Sequence, residues 1–328
     1  MIDAIIVGQG IAGSILAYQL LQEGLSIQIF HDQKKESASQ IAAGLIQSIS
    51  GRHLSIADDS LKQILFAIHY YKFLEKQLNT SFFSEISCYR YLTEEQLKKW
   101  QKKSTIEPYK YYLSSELVTP PHNVNKALSF IEVLNNYLVN PAVLLAAFYD
   151  FFKQKNCISE HCFDETGIEY HSDYVSYNGI KAKRLILCLG HHISDLDLFK
   201  HVDFQNIKGE TMTISNIKQS LDVVYQNSEW IVPYNDDTYR VGATYDHNLT
   251  TEITPKGQET LTQFLNTLGV EDYNITGQHA GIRCVTKNRK PLIAPHPEKE
   301  RILAFSGFGS KGFMTCPYYV DLFMKTFY

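Results

Sequence analysis

The sequence predicts an α/β protein in which a nucleotide-binding domain is interrupted by a β-rich, mostly antiparallel one. Three observations carry this. The chain opens with a short apolar strand that runs straight into Gly-x-Gly-x-x-Gly (Ala4–Gly13, AIIVGQGIAG). A later segment, Lys183–Gly190 (KRLILCLG), is apolar on both faces, as befits a strand in the middle of a helix-covered parallel sheet. From about Ile207 to Tyr245 the hydrophobic period changes to two, the period of strands.

The opening motif assigns each glycine a separate task. Gly8 makes the tight strand-to-helix turn, Gly10 lets backbone approach a pyrophosphate, and Gly13 lets the helix pack closely on the strand. The helix that follows, beginning at Ile11 and Ala12, aims its N–H groups and positive dipole end at the phosphates. Ile11, Ile15, Leu16, Gln19 and Leu20 carry that helix to Gly24 as its stop, and a second strand, Ser26–Phe30, completes a β-α-β unit. The chain is therefore expected to bind a dinucleotide. After the second strand an acid normally accepts the ribose hydroxyls. Here His31 takes that place and Asp32 comes one residue later, so either residue is a candidate. Neither supplies an arginine suited to a 2′-phosphate, which argues against NADP.

The remaining elements follow in order. Asp58–Leu78 reads as an amphipathic helix with Leu61, Ile64, Leu65, Ile68 and Tyr71 on one face and Asp58 or Asp59 as cap. Glu94–Gln101 reads as a short charged helix, and the region around Pro120 and Pro121 as loop. Asn140 and Pro141 sign a helix start, with Val143, Leu144, Ala147, Phe148 and Phe151 as the buried face. Thr211–Ile214, Glu229–Val232 and Tyr239–Thr244 read as antiparallel strands, the last two joined by Asn235-Asp236-Asp237. Pro255–Leu268 is a helix capped by Thr254 and stopped by Gly269. Near the carboxyl end a strand, Ile302–Phe305, leads into Ser306-Gly307-Phe308-Gly309-Ser310-Lys311-Gly312, a glycine-dense turn suited to lie against a flat or charged ligand.

Composition narrows the class. At 328 residues, 44% apolar and 12% aromatic, the chain is large enough for two packed domains. A formal charge of −4 argues against a free-standing nucleic-acid binder. Cysteines 88, 157, 162, 188, 284 and 316 show no metal or redox spacing, which fits a reducing cytoplasm. The apolar start lacks a basic leader and holds the glycine motif, and no apolar run is long enough to span a membrane. A cytoplasmic protein is expected. His191 and His192 are adjacent, so they should point apart, and no metal site is predicted.

Eight segments in order resemble the FAD-dependent oxidoreductases of the D-amino acid oxidase and glycine oxidase superfamily. They are Val7–Gly13, Ala38–Ile46 (ASQIAAGLI), Asn140–Leu144 (NPAVL), Leu185–Gly190, Ile207–Glu210 (IKGE), Val241–Asp246 (VGATYD), Gly281–Pro291 (GIRCVTKNRKP) and Gly307–Gly312 (GFGSKG). The resemblance implies a Rossmann-like FAD-binding domain with a glutathione-reductase type sheet over 1–85, 141–203 and 281–328, and a substrate domain over 86–140 and 204–280. It also implies that the chain returns to the first sheet near its end. By the resemblance, extended FAD runs from Gly8, Gly10, Ile11, Ala12, Gly13, His31 and Asp32 past Ala43, Gly44, Leu45 and Gly190. Its flavin edge meets Gly307, Gly309, Ser310, Lys311, Gly312 and Phe313, with Gly309–Gly312 donating backbone hydrogen bonds.

The implied chemistry is oxidation of a C–N bond in a small amine or amino acid, by an oxidase or a dehydrogenase, with hydride passing to flavin N5. Arg283 matches the arginine that grips a substrate carboxylate in many relatives. Lys311 would favour negative charge on the flavin, while Arg52 and Tyr245 are further substrate-binding candidates and Tyr234 another pocket aromatic. The resemblance extends to a cysteine that anchors flavin covalently in some amine oxidases, which places Cys284 about two positions away. Cys284 and Asn288 stand where relatives commonly have Pro and Asp. Gly309–Gly312 is also similar to a loop in the oxidase half of a bifunctional tRNA wobble-uridine enzyme, which implies a carboxymethylaminomethyl base as an alternative substrate. A non-catalytic flavin-binding relative is the third reading, and oxygen or another acceptor reoxidises the flavin in the first two.

Overall fold

A computed structural model describes residues 1–32, 37–56, 59–218 and 220–328. Its first strand, Ile2–Val7, pairs in parallel with Ile27–His31 on one side and Ile180–Leu187 on the other. Val7 lies opposite both Phe30 and Leu187, so the three strands end level. Ile158–Glu160 extends the parallel set beyond Ile27–His31, and Ile302–Ser306 extends it beyond Ile180–Leu187. The strand order places the chain's last strand beside its centre, the return to the first sheet that the C-terminal glycine turn requires. Three antiparallel strands, Ile168–Tyr170, Val175–Tyr177 and Leu292–Pro295, fill out an eight-stranded sheet.

Both faces of this sheet are covered, as the apolar run around Leu185 demands. Ala4, Ile6 and Ile186 pack beneath helices Ile11–Gln22, Ser60–Leu78, Pro141–Gln154 and Gly312–Phe327. Ile5, Val7, Leu185 and Leu187 alternate to the other side and meet Ile193 and Phe199.

The second sheet has seven strands, in the order Asn274–Arg283, Ile207–Ser215, Thr238–Gly242, Trp230–Asn235, Val224–Gln226, Cys88–Leu92 and Ser129–Val133. All pairs are antiparallel except Val224–Gln226 with Cys88–Leu92. Met212, Ile214, Tyr225, Ile231 and Val241 bury one face against Leu261, Phe264 and Leu265 of helix Pro255–Leu268. Strand alternation then turns Gly209, Thr211, Arg240, Gly242, Trp230, Gln226 and Arg90 to the other face.

A buried polar lock ties that helix to the sheet. Lys208 Nζ lies 3.1 Å from Glu210 Oε1, and both side chains are almost wholly out of water. The Glu210 carboxylate also accepts from Thr254 N at 2.8 Å and Thr254 Oγ1 at 2.9 Å. Thr254 caps the helix through Gly257 N, with Pro255 in the first turn, as the sequence indicated.

Two helix faces differ from expectation. The long helix begins at Ser60; Asp58 lies outside the described residues, and Asp59 makes no side-chain cap bond. Its buried side is Gln63, Ile64, Ala67, Tyr71 and Leu74, whereas Leu61 and Leu65 are 55% and 49% exposed. Tyr71 sets this rotation, because its buried hydroxyl must face the helix Gly312–Phe327, where it donates to the Phe313 carbonyl at 2.7 Å. In Pro141–Gln154 the cap is Asn140, as expected, but Leu145 and Phe152 are buried while Val143, Ala147 and Phe151 are only partly so. Phe148 stacks on Phe152, leaving Phe151 at the rim against Tyr18.

Gly13 is where helix and strand touch. A Cβ there would lie 1.9 Å from the Gly8 carbonyl oxygen and 3.1 Å from Cys188 Cβ. Gly24 also lacks a side chain, yet nothing lies within 4 Å of its Cβ position, and its φ of +75° is the only strain. Urea unfolding of the two alanine variants is expected to separate these costs. Gly13→Ala loses roughly 3 kcal/mol or more, and Gly24→Ala about 1 kcal/mol.

Candidate active site

At the C-terminal edge of the first sheet two helix starts converge. A Cβ on Gly312 would sit 3.2 Å from Ile11 Cγ2, so the first turns of Ile11–Gln22 and Gly312–Phe327 abut. Neither first turn carries an acid. Two positive dipole ends without an acidic neighbour form a site for an anion. Gly8 turns the chain with φ of +101°. Gly10 is free of the crowding at Gly13: its Cβ position meets only Ser39, whose Oγ is 3.2 Å away. The same Ser39 hydroxyl accepts from Ile11 N at 3.1 Å, while Ala12 is buried behind it. A pyrophosphate fits this cradle, with Gly10, Ile11 and Ser39 as its neighbours.

The glycine turn beside it is more engaged than expected. Gly309 N donates to the Cys284 carbonyl at 2.9 Å and Lys311 N to the Phe308 carbonyl at 3.2 Å. Ser310 and Gly312 are among the N–H groups of the turn without a chain partner among the described residues. The Lys311 side chain is half-buried with no ion pair or hydrogen bond among the described residues, and burial pushes its pKa down. Gly307 is buried, and Ser306 Oγ donates to the Gly190 carbonyl at 3.0 Å, joining the ends of two central strands.

His31 ends the second strand and lines a cleft of about 590 Å³ together with Gln9, Gln40, Tyr149, Tyr234 and Arg240. Burial lowers the His31 pKa, only partly offset by Asp32 and Glu160, so the ring is neutral at neutral pH. Asp32 is half-buried and is not among the residues that line the cleft. Arg240 stacks 3.8 Å over the Tyr234 ring and donates to the Gln40 carbonyl at 2.6 Å, tying the second sheet to the short helix Ala38–Ile41. A separate cleft of about 490 Å³ near Ser104 and Val118 gathers none of the residues singled out from the sequence.

Arg283 ends the strand Asn274–Arg283 and lies flat on Gly209, where a Cβ would be 2.3 Å from its Nη2. It donates to the carbonyls of Lys208 at 3.4 Å and Thr244 at 3.3 Å. No carboxylate pairs with it among the described residues, and burial lowers its pKa. Tyr245, 64% exposed, is the group whose charge interaction reaches it. Thr244 is itself fixed by Glu210, through Glu210 N to Thr244 Oγ1 at 2.8 Å and Thr244 N to the Glu210 carbonyl at 3.2 Å. The buried lock of the second sheet therefore sets the carbonyl that holds Arg283.

Other candidates fall elsewhere. Arg52 is exposed and donates to His53 Nε2 at 3.2 Å, away from any contact of Arg283. Leu45 pairs with Leu138, Gly44 accepts from Val139 N at 3.0 Å, and Ala43 packs on the cluster around Trp100. Phe313 is buried and gives its carbonyl to Tyr71. Cys284 is a buried thiol whose pKa burial raises to about 11. His191 and His192 do not point apart: their rings lie 4.0 Å from each other because a 3-10 turn begins at Gly190. No group of three His, Cys, Asp or Glu side chains among the described residues is placed to hold a metal. Ser39, Gly209, Arg240 and Trp230 were not singled out from sequence; only the Ser37-x-x-Gln40 box beside Ser39 was a local signal.

A parallel sheet with a Gly-x-Gly-x-x-Gly cradle, together with an antiparallel sheet whose Arg283 has no carboxylate partner among the described residues, is the arrangement of a dinucleotide-dependent enzyme. The chain belongs to the FAD dependent oxidoreductase (DAO) family, which it matches over residues 3–322, and its cofactor is FAD. It is 25% identical to a glycine oxidase of Bacillus licheniformis, across 96% of this chain and 90% of that protein. It is 24% identical to the tRNA 5-methylaminomethyl-2-thiouridine biosynthesis bifunctional protein of Leptospira interrogans, across 88% of this chain but 48% of that protein. The chain thus spans about half the length of the bifunctional relative. Among solved structures, glycine oxidase from Geobacillus kaustophilus superposes with a TM-score of 0.81 at 18% identity, over 99% of this chain and 93% of that one. Iminodiacetate oxidase from Chelativorans sp. BNC1 gives 0.79 at 16% identity, over 98% and 94%. No helix of the described residues is long and apolar enough to cross a membrane.

The cradle makes a specific demand on Gly10. A valine there should leave a folded protein that unfolds at the midpoint of the wild-type apoprotein and no longer retains FAD, read from the visible spectrum after desalting. A Gly10→Val protein that keeps a full complement of flavin contradicts the placement of the pyrophosphate.

Proposed function

We propose that this chain oxidises the C–N bond of a small amine bearing a carboxylate, with residues 1–85, 141–203 and 281–328 carrying the cofactor and 86–140 and 204–280 forming the substrate side. The observation that carries the reading is the Arg283 guanidinium, half-buried, held only by backbone carbonyls and lacking a carboxylate partner among the described residues. A cation withdrawn from water in this way is poised for an anion from outside the chain. Its planar fork suits a carboxylate.

When bound, FAD supplies the two-electron acceptor for hydride from the carbon next to the amine. The chain's own part is to hold and orient. Arg283 fixes the carboxylate, and Gly209 leaves room for the guanidinium to lie flat. Tyr245, exposed beside it, covers the substrate. Lys311, with its burial-lowered pKa, places an uncompensated cation at the start of Gly312–Phe327, where negative charge on the cofactor edge is favoured. His31, neutral by burial, serves the ribose as either hydrogen-bond donor or acceptor. Ala43, Gly44, Leu45, Gly190, Gly307 and Phe313 complete the shell around the cofactor. Six free cysteines fit a reducing compartment, and a cytoplasmic location belongs to this proposal.

A second reading has the half-length bifunctional relative behind it. In that reading the amine is a carboxymethylaminomethyl group on a tRNA base, which would present the same carboxylate to Arg283. Hydrogen peroxide release or dye reduction with amino acids, against modified tRNA, separates the two.

Replacing Arg283 by Ala should raise the KM for a carboxylate-bearing amine roughly 30- to 1000-fold, equivalent to about 2–4 kcal/mol. Gly209→Ala should raise it in the same direction with the arginine still present, because the new Cβ displaces the guanidinium. Unchanged kinetics in both variants would make Arg283 a structural residue.

A further inference from the structure

Helix Ser60–Leu78 covers the first sheet with the side that carries Ile64, Ala67, Tyr71 and Leu74. Its other side faces solvent, and that side is not polar. Leu61, Leu65 and Phe73 stand on it, Phe73 being 47% exposed. Lys62, Lys72 and Lys76 are exposed as well. At 3.6 residues per turn these six positions fall within one arc of about 120°. Around that arc the order is Leu61, Lys72, Leu65, Lys76, Lys62, Phe73, so apolar and cationic side chains interleave. Along the axis, Leu61 and Phe73 are about 18 Å apart.

The helix presents no negative charge here. Glu75 is the one acid among its 19 residues. Its carboxylate is engaged elsewhere, accepting from Phe82 N at 2.7 Å and Phe83 N at 2.8 Å. Asp59 and Asp321 reach Lys62 from the margin, and Asp321 is itself bound to Lys325 at 2.7 Å. The face continues onto helix Gly312–Phe327. Lys62 lies 4.9 Å over the Tyr318 ring, Phe66 meets the same ring edge-on, and Leu322 is exposed.

Large apolar side chains gathered on a solvent face mark an interaction surface. The lysines between them decide the partner. A second copy docked by a two-fold axis would bring the same patch, and so the same three lysines, against itself. A bilayer surface with anionic headgroups accepts both kinds of side chain at once. Leucine and phenylalanine enter the acyl boundary, and the lysines extend their stems back to the phosphates.

We infer that this face docks on an anionic lipid bilayer, with the helix axis parallel to the membrane plane. This is attachment at the surface and not insertion, for no helix of the described residues is long and apolar enough to cross. The face lies on the solvent side of a helix covering the first sheet, so the inference stands whether or not Arg283 holds a carboxylate.

Co-sedimentation of the FAD-loaded full-length protein with lipid vesicles tests it, at low and high salt. Vesicles of phosphatidylcholine alone are compared with vesicles containing roughly 25% phosphatidylglycerol. At low salt, wild type should bind the anionic vesicles roughly ten-fold or more tighter than the neutral ones, and salt should weaken this. Replacing Lys62, Lys72 and Lys76 together by Gln should remove the preference for anionic lipid. Replacing Leu61, Leu65 and Phe73 together by Gln should weaken binding to the anionic vesicles roughly ten-fold or more. Both variants should keep FAD and the wild-type unfolding midpoint, since the replaced side chains are exposed and Gln suits a helix. A wild type that ignores anionic vesicles at low salt overturns the inference, whether or not the variants fold. Vesicle binding unchanged in both variants overturns it too, placing attachment elsewhere on the chain. A wild type that self-associates without binding vesicles, and becomes monomeric when Leu61, Leu65 and Phe73 are replaced, overturns it in favour of a second copy.

Discussion

The fold depends on one close approach, the crossing of the first helix over the first strand at Gly13. There the Gly8 carbonyl occupies the space a side chain would take. That contact seats the start of Ile11–Gln22 at the level where Val7 and Leu187 end. The last helix is seated by the same means, Gly312 against Ile11, with Tyr71 pinning the Phe313 carbonyl from behind. Two dipole ends at one point repel each other unless an anion lies between them. The geometry that packs the helices thus also makes a site suited to an anion.

A second theme is positive charge left without a partner. Buried cations in proteins are normally paired, and Lys208 follows the rule, bound to Glu210. Among the described residues Arg283 and Arg90 break it, on the same face of the same sheet, and Lys311 breaks it at the start of Gly312–Phe327. The paired and unpaired groups are linked. Glu210, neutralised by Lys208, fixes Thr244, and Thr244 fixes Arg283. The lock thereby orients the Arg283 guanidinium.

Much of this was legible in the sequence because it is local chemistry. The glycine motif, the Asn140-Pro141 and Thr254-Pro255 caps and the doubly apolar strand at Leu185 each declare themselves within a few residues. What escaped depends on partners distant in the chain. Leu61 and Leu65 look like core residues by spacing, but the rotation of their helix is set by Tyr71 reaching Phe313, 242 positions away. Strands Cys88–Leu92 and Ser129–Val133 are short and are defined by pairing across the sheet. At the site, the C-terminal return was legible only through family resemblance. The support of Arg283 by Gly209 and Thr244, and the engagement of Gly309 N with Cys284, required the strand register.

The most direct measurement is anaerobic mixing of the FAD-loaded protein with matched pairs of amines, an amino acid and its amide, followed at about 450 nm, where oxidised flavin absorbs. If an uncompensated Arg283 selects the substrate, an amino acid bleaches the flavin and its amide, lacking the carboxylate, does not. Equal bleaching by both, or none by any amine, contradicts the account.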